Sequence, residues 1–285
     1  MILQSEASTA ELHEVDGVRI YVVHNKGLER LLFDRNLVGA GFRSACLTSS
    51  RHFIRHFADE CDVERTAELV ILSKGLLYQL AEAVSQETGC NLPTNLIATS
   101  RVAVSGDSAR VVITYSQLEA PADTLIIGDT VASGATIVES LSAYKEEHAL
   151  KRLYVLSYAG GRVGALRIAE FCRSNSIACT FLYGLAIFGL GDNGFDLSFL
   201  HPDTIAREDY KERARAQFSG RAVSAVGWDF GCQAMAPSKY KHLCWIEASM
   251  WGLRGEKCFE VAEKPSDLNE LSHEKPAYAG WLEEY

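Results

Sequence analysis

Short β-branched, apolar runs alternate along the middle of the chain with stretches whose apolar positions recur at helical spacing. Before that region the pattern is mixed: Val18–His24 (VRIYVVH) predicts a strand, and Arg51–Asp59 a helix with His52 and His56 four apart. From Glu68 it becomes regular. Glu68–Leu72 (ELVIL) has the unbroken apolar character of a buried parallel strand, Ser73-Lys74-Gly75 interrupts it, and Leu76–Val84 continues at helical spacing towards Gly89. Leu96–Val104 and Ala109–Tyr115 predict a hairpin turning at Ser105-Gly106-Asp107-Ser108. Thr124–Ile127, Lys151–Ser157 and Ile177–Leu185 predict three more strands, separated by helices over Thr136–Glu147 and Val163–Arg173. Strands alternating with helices imply an open, mainly parallel α/β sheet flanked by helices over residues 65–190. Residues 1–64 and 191–285 read as segments that pack on this core as a hood or appendage. Within the latter, Asp203–Gln217 is helix-compatible after Pro202, and Gly220–Trp251 is rich in glycine and aromatics.

Composition narrows the class. The 285 residues are 47% hydrophobic and 23% charged, which suits a globular chain with a real core. Twenty-eight basic against thirty-seven acidic residues give a net charge of −9, which argues against broad binding to nucleic acid or an anionic membrane. No apolar run reaches the roughly 18–20 residues of a membrane-spanning helix. Met1–Glu14 carries Glu6, Glu11 and Glu14 and no basic-then-apolar signal pattern, so a cytoplasmic location is expected. The cysteines at 46, 61, 90, 172, 179, 232, 244 and 258 include no CxxC pair and read as buried reduced thiols.

The chemistry concentrates in Thr124–Val138, TLIIGDTVASGATIV: an apolar strand, an acid, a loop of small residues, then a helix. In open α/β sheets ligands bind where such loops leave the carboxyl ends of strands. Ala132, Ser133, Gly134 and Ala135 let main-chain amides approach an anion, Ser133 and Thr136 add hydroxyl donors, and the helix aims its positive end at the same place. Asp129 would repel a phosphate but suits sugar hydroxyls. A ligand with both a diol and a phosphate, a ribose 5-phosphate unit, satisfies these groups.

Gly128-Asp129-Thr130-Val131-Ala132-Ser133-Gly134-Ala135-Thr136 resembles the phosphoribosyl pyrophosphate (PRPP) loop of type I phosphoribosyltransferases, with glycine at the first of its two acidic positions. The resemblance implies that Asp129 holds ribose and that Thr130, Val131, Ala132, Ser133, Gly134, Ala135 and Thr136 cradle the 5-phosphate. It also implies a pyrophosphate-binding loop at Ser73, Lys74 and Gly75, with Lys74 as its point charge, and a flexible loop carrying Arg101, Asp107 and Arg110. Asp129, Lys74 and Arg101 are then the expected catalytic residues. The implied reaction transfers ribose 5-phosphate from PRPP to a nucleobase or related heterocycle and releases pyrophosphate. Mg²⁺ would arrive mainly bound to PRPP, and the family admits a homodimer.

Two other functions compete. Gly128 favours a PRPP- or nucleotide-binding regulatory protein of the same fold that transfers nothing. Gly189-Leu190-Gly191-Asp192-Asn193-Gly194 matches GxGxxG and, more weakly, suggests a nicotinamide-dependent oxidoreductase; Pro202 comes too soon for the long helix that motif needs. His201 and Asp203 read as structural or capping residues. Trp228, Phe230, Trp245 and Trp251 read as secondary core, and His52 with His56 as surface or core histidines without a metal.

Overall fold

The computed structural model describes residues 8–34, 37, 39–103, 109–191, 194 and 197–217. Asp107, the tryptophan-rich stretch 220–251 and Cys232, Cys244 and Cys258 lie outside the described residues.

The chain opens with a hairpin of β1 (Thr9–Val15) and β2 (Val18–His24). Its turn, Asp16-Gly17, takes positive φ at both residues (50° and 77°), the geometry whose twist matches that of paired strands. Asn25 then caps α1 (Lys26–Phe33), its side-chain oxygen accepting the Leu28 amide at 2.9 Å. α2 (Gly39–Arg55) and two short 3₁₀ turns lead into β3 (Thr66–Leu72). A further 3₁₀ turn (Lys74–Tyr78) precedes α3 (Leu80–Thr88), which ends at a left-handed Gly89. β4 (Thr94–Ala103) and β5 (Ala109–Gln117) form the expected hairpin. Next come β6 (Thr124–Gly128), α4 (Ala135–Glu147), β7 (Arg152–Ser157), the short β8 (Gly160–Gly161), α5 (Arg162–Ser174) and β9 (Ala178–Gly184). β10 (Ala186–Leu190), the two-residue β11 (Leu197–Ser198) and β12 (Ile205–Ala206), and α6 (Glu208–Gln217) complete the described chain.

Eight strands make one sheet in the order β1-β2-β9-β7-β6-β3-β4-β5. The six inner strands are parallel and only the edges β1 and β5 run antiparallel. Alternation along each inner strand fills two cores. Leu125 and Ile127 of β6 pack with Ile137 and Leu141 of α4 and Ala165 and Ile168 of α5. Ile126 faces the other way, into a layer built from α1, α2, α3 and α6. The fold is therefore mixed α/β, a mainly parallel sheet flanked by helices, with β2 of the N-terminal segment inside the same sheet. Among the described residues no helix is long and apolar enough to cross a membrane.

Four local expectations change. The helix expected over 76–84 divides at Gln79, whose left-handed backbone (φ 49°) separates the 3₁₀ turn from α3, so that Tyr78 is carried inward and fully buried. The helix expected from Asp203 begins at Glu208, because Thr204 is tied into a turn and β12 takes Ile205–Ala206. α2 starts well before Arg51 and buries His52. Of the described cysteines Cys46 and Cys172 are buried, whereas Cys90 is exposed.

Within this parallel sheet β3 buries a carboxylate. Burial raises Glu68 to about 7, against the amides of Ala81 and Leu80 and the Thr94 hydroxyl, which donate to it. The folded chain thus keeps a proton over a range in which the unfolded chain has released it. Stability contributed by this group falls as pH rises from about 4.5 to about 7 and is level above that. Glu68→Gln is expected to be more stable than the native protein at pH 8, by a margin on the order of 3 kcal/mol that closes towards pH 4.5, in urea melts at both values.

Candidate active site

The loops leaving β3, β6 and β7 emerge at the same edge of the sheet, the carboxyl edge of its parallel strands. The β6 loop is held by main-chain bonds to the segment after β7. The Asp129 amide donates to Leu156 O at 3.2 Å, the Val131 amide approaches both Ala159 O (3.3 Å) and Ser157 Oγ (3.2 Å), and the Gly161 amide donates to Val131 O at 2.6 Å. Ser157 in turn donates to Ala159 O at 2.8 Å. This lattice fixes residues 129–131 without using a ligand.

Two glycines then let the loop lie directly on α5. Gly134 has φ 76°, and a Cβ there would sit 2.8 Å from Gly164 O and 3.0 Å from Gly164 Cα. A Cβ on Gly164 would lie 2.6 Å from Ala132 O. Gly134 is also the N-cap of α4, and it supplies no side-chain cap; no acidic residue follows in the first turn. The amides of that turn lack intrahelical partners, so the helix presents donors and its positive end to whatever occupies the loop. Ser133, Ala135 and Thr136 are partly exposed around them, and the Thr130 hydroxyl is buried without a protein hydrogen-bond partner.

Asp129 lies buried at the start of this loop, 8% exposed, with Oδ1 accepting the Thr130 amide at 2.7 Å. Burial lifts its carboxyl to about 6, opposed by that amide and by the charge of Lys74. Lys74 is exposed on the turn after β3, close enough for its charge to act on Asp129. In the same turn the Leu72–Ser73 peptide is cis, Ser73 is exposed, and Gly75 packs where a Cβ would lie 3.4 Å from Gly128 O. The structure thus brings together Asp129, Thr130–Thr136 and Ser73–Gly75. The β4–β5 hairpin overhangs the same edge: Leu72 pairs with Ala98, so Arg101 stands three residues further along, about 10 Å at about 3.3 Å per residue. Arg101 pairs with Val111 and Arg110 with Val102, which puts the two arginines on opposite faces of the ribbon.

Tyr78, Ser157 and Tyr158 were not singled out by the sequence pattern. Tyr78 fills the space beside Gly128: a Cβ at 128 would meet its Cγ at 2.5 Å and its Cβ at 2.6 Å. The Tyr78 ring stacks on Tyr158 with centroids 4.0 Å apart and planes 6° from parallel. The Tyr158 amide donates to the Tyr78 hydroxyl at 3.1 Å, and the Tyr158 hydroxyl donates to Cys46 O of α2 at 2.9 Å. The available signal was Gly128 itself, a glycine ending a buried strand, which implies close approach by something large.

The GxGxxG segment has another role. Gly189 lies in β10 opposite Ser198 of β11, its amide donates to Thr204 Oγ1 at 2.9 Å, and its missing side chain leaves room for the His201 ring. A dinucleotide fingerprint needs a helix after the third glycine, and β11 and a turn stand there instead, which removes the nicotinamide reading. His201 is buried and accepts the Asp203 amide at 3.1 Å, a structural turn as expected.

No protein-family model matches the chain, and no curated protein matches it. Solved structures do. The AQ2163 protein of Aquifex aeolicus aligns at 14% identity and a TM-score of 0.49, covering 60% of this chain and 86% of its own. A purine phosphoribosyltransferase from Pyrococcus horikoshii aligns at 10% identity and 0.34, covering 51% and 85%. An adenine phosphoribosyltransferase from Leishmania donovani aligns at 17% identity and 0.33, covering 48% and 64%. With overlap this partial, the functional reading rests on the site geometry of this chain.

Gly134→Ala forces a side chain into both a left-handed backbone and the Gly164 carbonyl. It is expected to cost about 2–4 kcal/mol, a fall in Tm of roughly 5–15 °C by calorimetry, whereas Ala135→Ser one residue later is expected to change Tm little.

Proposed function

We propose that the chain binds PRPP and transfers its ribose 5-phosphate to a small heterocyclic acceptor, releasing pyrophosphate. The observation that carries this is the convergence of one buried carboxylate, one lysine and the uncapped start of α4 at the carboxyl edge of β3 and β6. The amides of residues 132–136 and the hydroxyls of Ser133 and Thr136 suit a 5-phosphate. Asp129 suits a ribose hydroxyl. Lys74 and the main chain of Ser73–Gly75 suit the diphosphate, and Arg101 on the overhanging hairpin is the further cation offered to it.

In the transfer, the bond between the anomeric carbon and the diphosphate oxygen breaks with its electron pair leaving on oxygen. An acceptor nitrogen lone pair forms the new bond to that carbon and loses its proton to solvent. Asp129 stabilises the positive charge that develops on the sugar, and Lys74 the negative charge that develops on the leaving group. No protein nucleophile is needed. A Mg²⁺ ion would be carried mainly by the diphosphate and its own water ligands, which leaves the Asp129 carboxylate to the sugar. Such an ion would neutralise leaving-group charge.

Tyr78 beside Gly128 favours a second reading, a protein of this fold that binds the same ligand and transfers nothing, because it leaves Asp129 as the carboxylate at the strand end. Pyrophosphate release across a panel of bases separates the two: release with any acceptor excludes the second.

Isothermal titration with PRPP and Mg²⁺ is expected to show heat in the native protein and a loss of tenfold or more in affinity for Asp129→Ala; no heat in either overturns the proposal. Because Asp129 gains its proton as pH falls through about 6, affinity is expected to drop on going from pH 7.5 to 5.5 more steeply in the native protein than in Asp129→Asn. The phosphate also titrates near pH 6, so the difference between the proteins is the quantity to read.

A further inference from the structure

The two residues from which a carboxylate at the end of β6 could reach the loop are 128 and 129, and the structure closes one of them. A side chain at 128 meets the Tyr78 ring at 2.5–2.7 Å. Tyr78 has no room to yield: it is fully buried, stacked on Tyr158 at 4.0 Å and bonded through its hydroxyl to the Tyr158 amide. Tyr158 is itself anchored to α2 through Cys46 O (2.9 Å) and Ser50 Oγ (2.7 Å). In Asp129, Oδ1 accepts the Thr130 amide at 2.7 Å, which uses one of its two acceptor sites. Oδ2 is therefore the Asp129 oxygen with both acceptor sites still open to a sugar hydroxyl.

We propose that Tyr78 is a specificity-determining residue: by excluding any side chain at 128 it makes this a one-carboxylate sugar site, which holds one of two neighbouring ring hydroxyls by charge and leaves the other unselected. The inference rests on the sugar-phosphate reading above and deepens it. The ligand class is a pentose 5-phosphate, ribose or one deoxygenated at the unselected carbon. Losing a hydrogen bond to a charged acceptor lowers affinity by roughly tenfold or more, so the selected hydroxyl should matter by at least that factor and the other by no more than about twofold.

The test is titration of the full chain with ribose 5-phosphate, 2-deoxyribose 5-phosphate and 3-deoxyribose 5-phosphate. One deoxy sugar is expected to bind within about twofold of ribose 5-phosphate and the other to lose at least tenfold. Equal losses for both, or equal tolerance of both, overturn this inference while leaving the site reading intact. No binding of ribose 5-phosphate overturns the site reading and this inference with it. The double variant Tyr78→Ala/Gly128→Asp opens the space and supplies the second acid; where circular dichroism shows it folded, it is expected to penalise both deoxy sugars. Retention of the native asymmetry in that folded variant also overturns the proposal.

Discussion

Main-chain surfaces touch at the carboxyl edge of this sheet, and the site depends on that contact. The loop after β6 lies on the first turn of α5 through Gly134 and Gly164, where added Cβ atoms would come within 2.8 and 2.6 Å of a carbonyl oxygen. The loop thereby stays close to β7, so that Val131 can bond to Ala159 O and the Gly161 amide can return to Val131 O. With both flanks held, α4 starts in the left-handed residue Gly134 and its first amides have no capping side chain. Amides held in place this way need no rearrangement to donate, which is the condition for backbone groups to contribute to binding.

The electrostatics follow from the same packing. Asp129 sits deep because the loop is compact, and its depth lifts its pKa to about 6. A carboxylate that costs this much to ionise gains from the nearby charge of Lys74 and from any hydroxyl donor a ligand supplies. Tyr78 takes the neighbouring volume. The break at Gln79 swings its ring under Gly128, and the stack with Tyr158 carries the constraint to α2, so an N-terminal helix helps hold the ring that fills the space beside Gly128.

Much of this was legible as pattern. Leu125-Ile126-Ile127 followed by Gly128-Asp129 and small residues identified the strand, the loop and the helix start, because burial on both faces demands unbroken apolar residues and amide exposure demands small ones. Ser73-Lys74-Gly75 was legible as a strand-ending loop for a similar reason. The stretch Leu76–Val84 was not read correctly, since its apolar spacing is that of a helix and nothing local marks the left-handed turn at Gln79; the Gln79 side-chain Nε2 there donates to Arg43 O, a residue 36 positions away. Gly189–Gly194 was ambiguous by motif alone, because a glycine that clears space for His201 looks the same in sequence as one that clears space for a phosphate; the nearby Pro202 was what argued against a dinucleotide site.

By itself the sequence determined the α/β class, the parallel strands, the position of the acid–small-residue loop and the location of Lys74, because these depend on residues near one another in the chain. Only the tertiary structure decided that β2 enters the main sheet, that Arg101 and Arg110 face opposite ways, and that Gly128 is a glycine on account of Tyr78. The physical reason is range. Periodicity and loop chemistry report what each segment prefers locally, whereas excluded volume between residues fifty positions apart exists only once the sheet has brought them into contact.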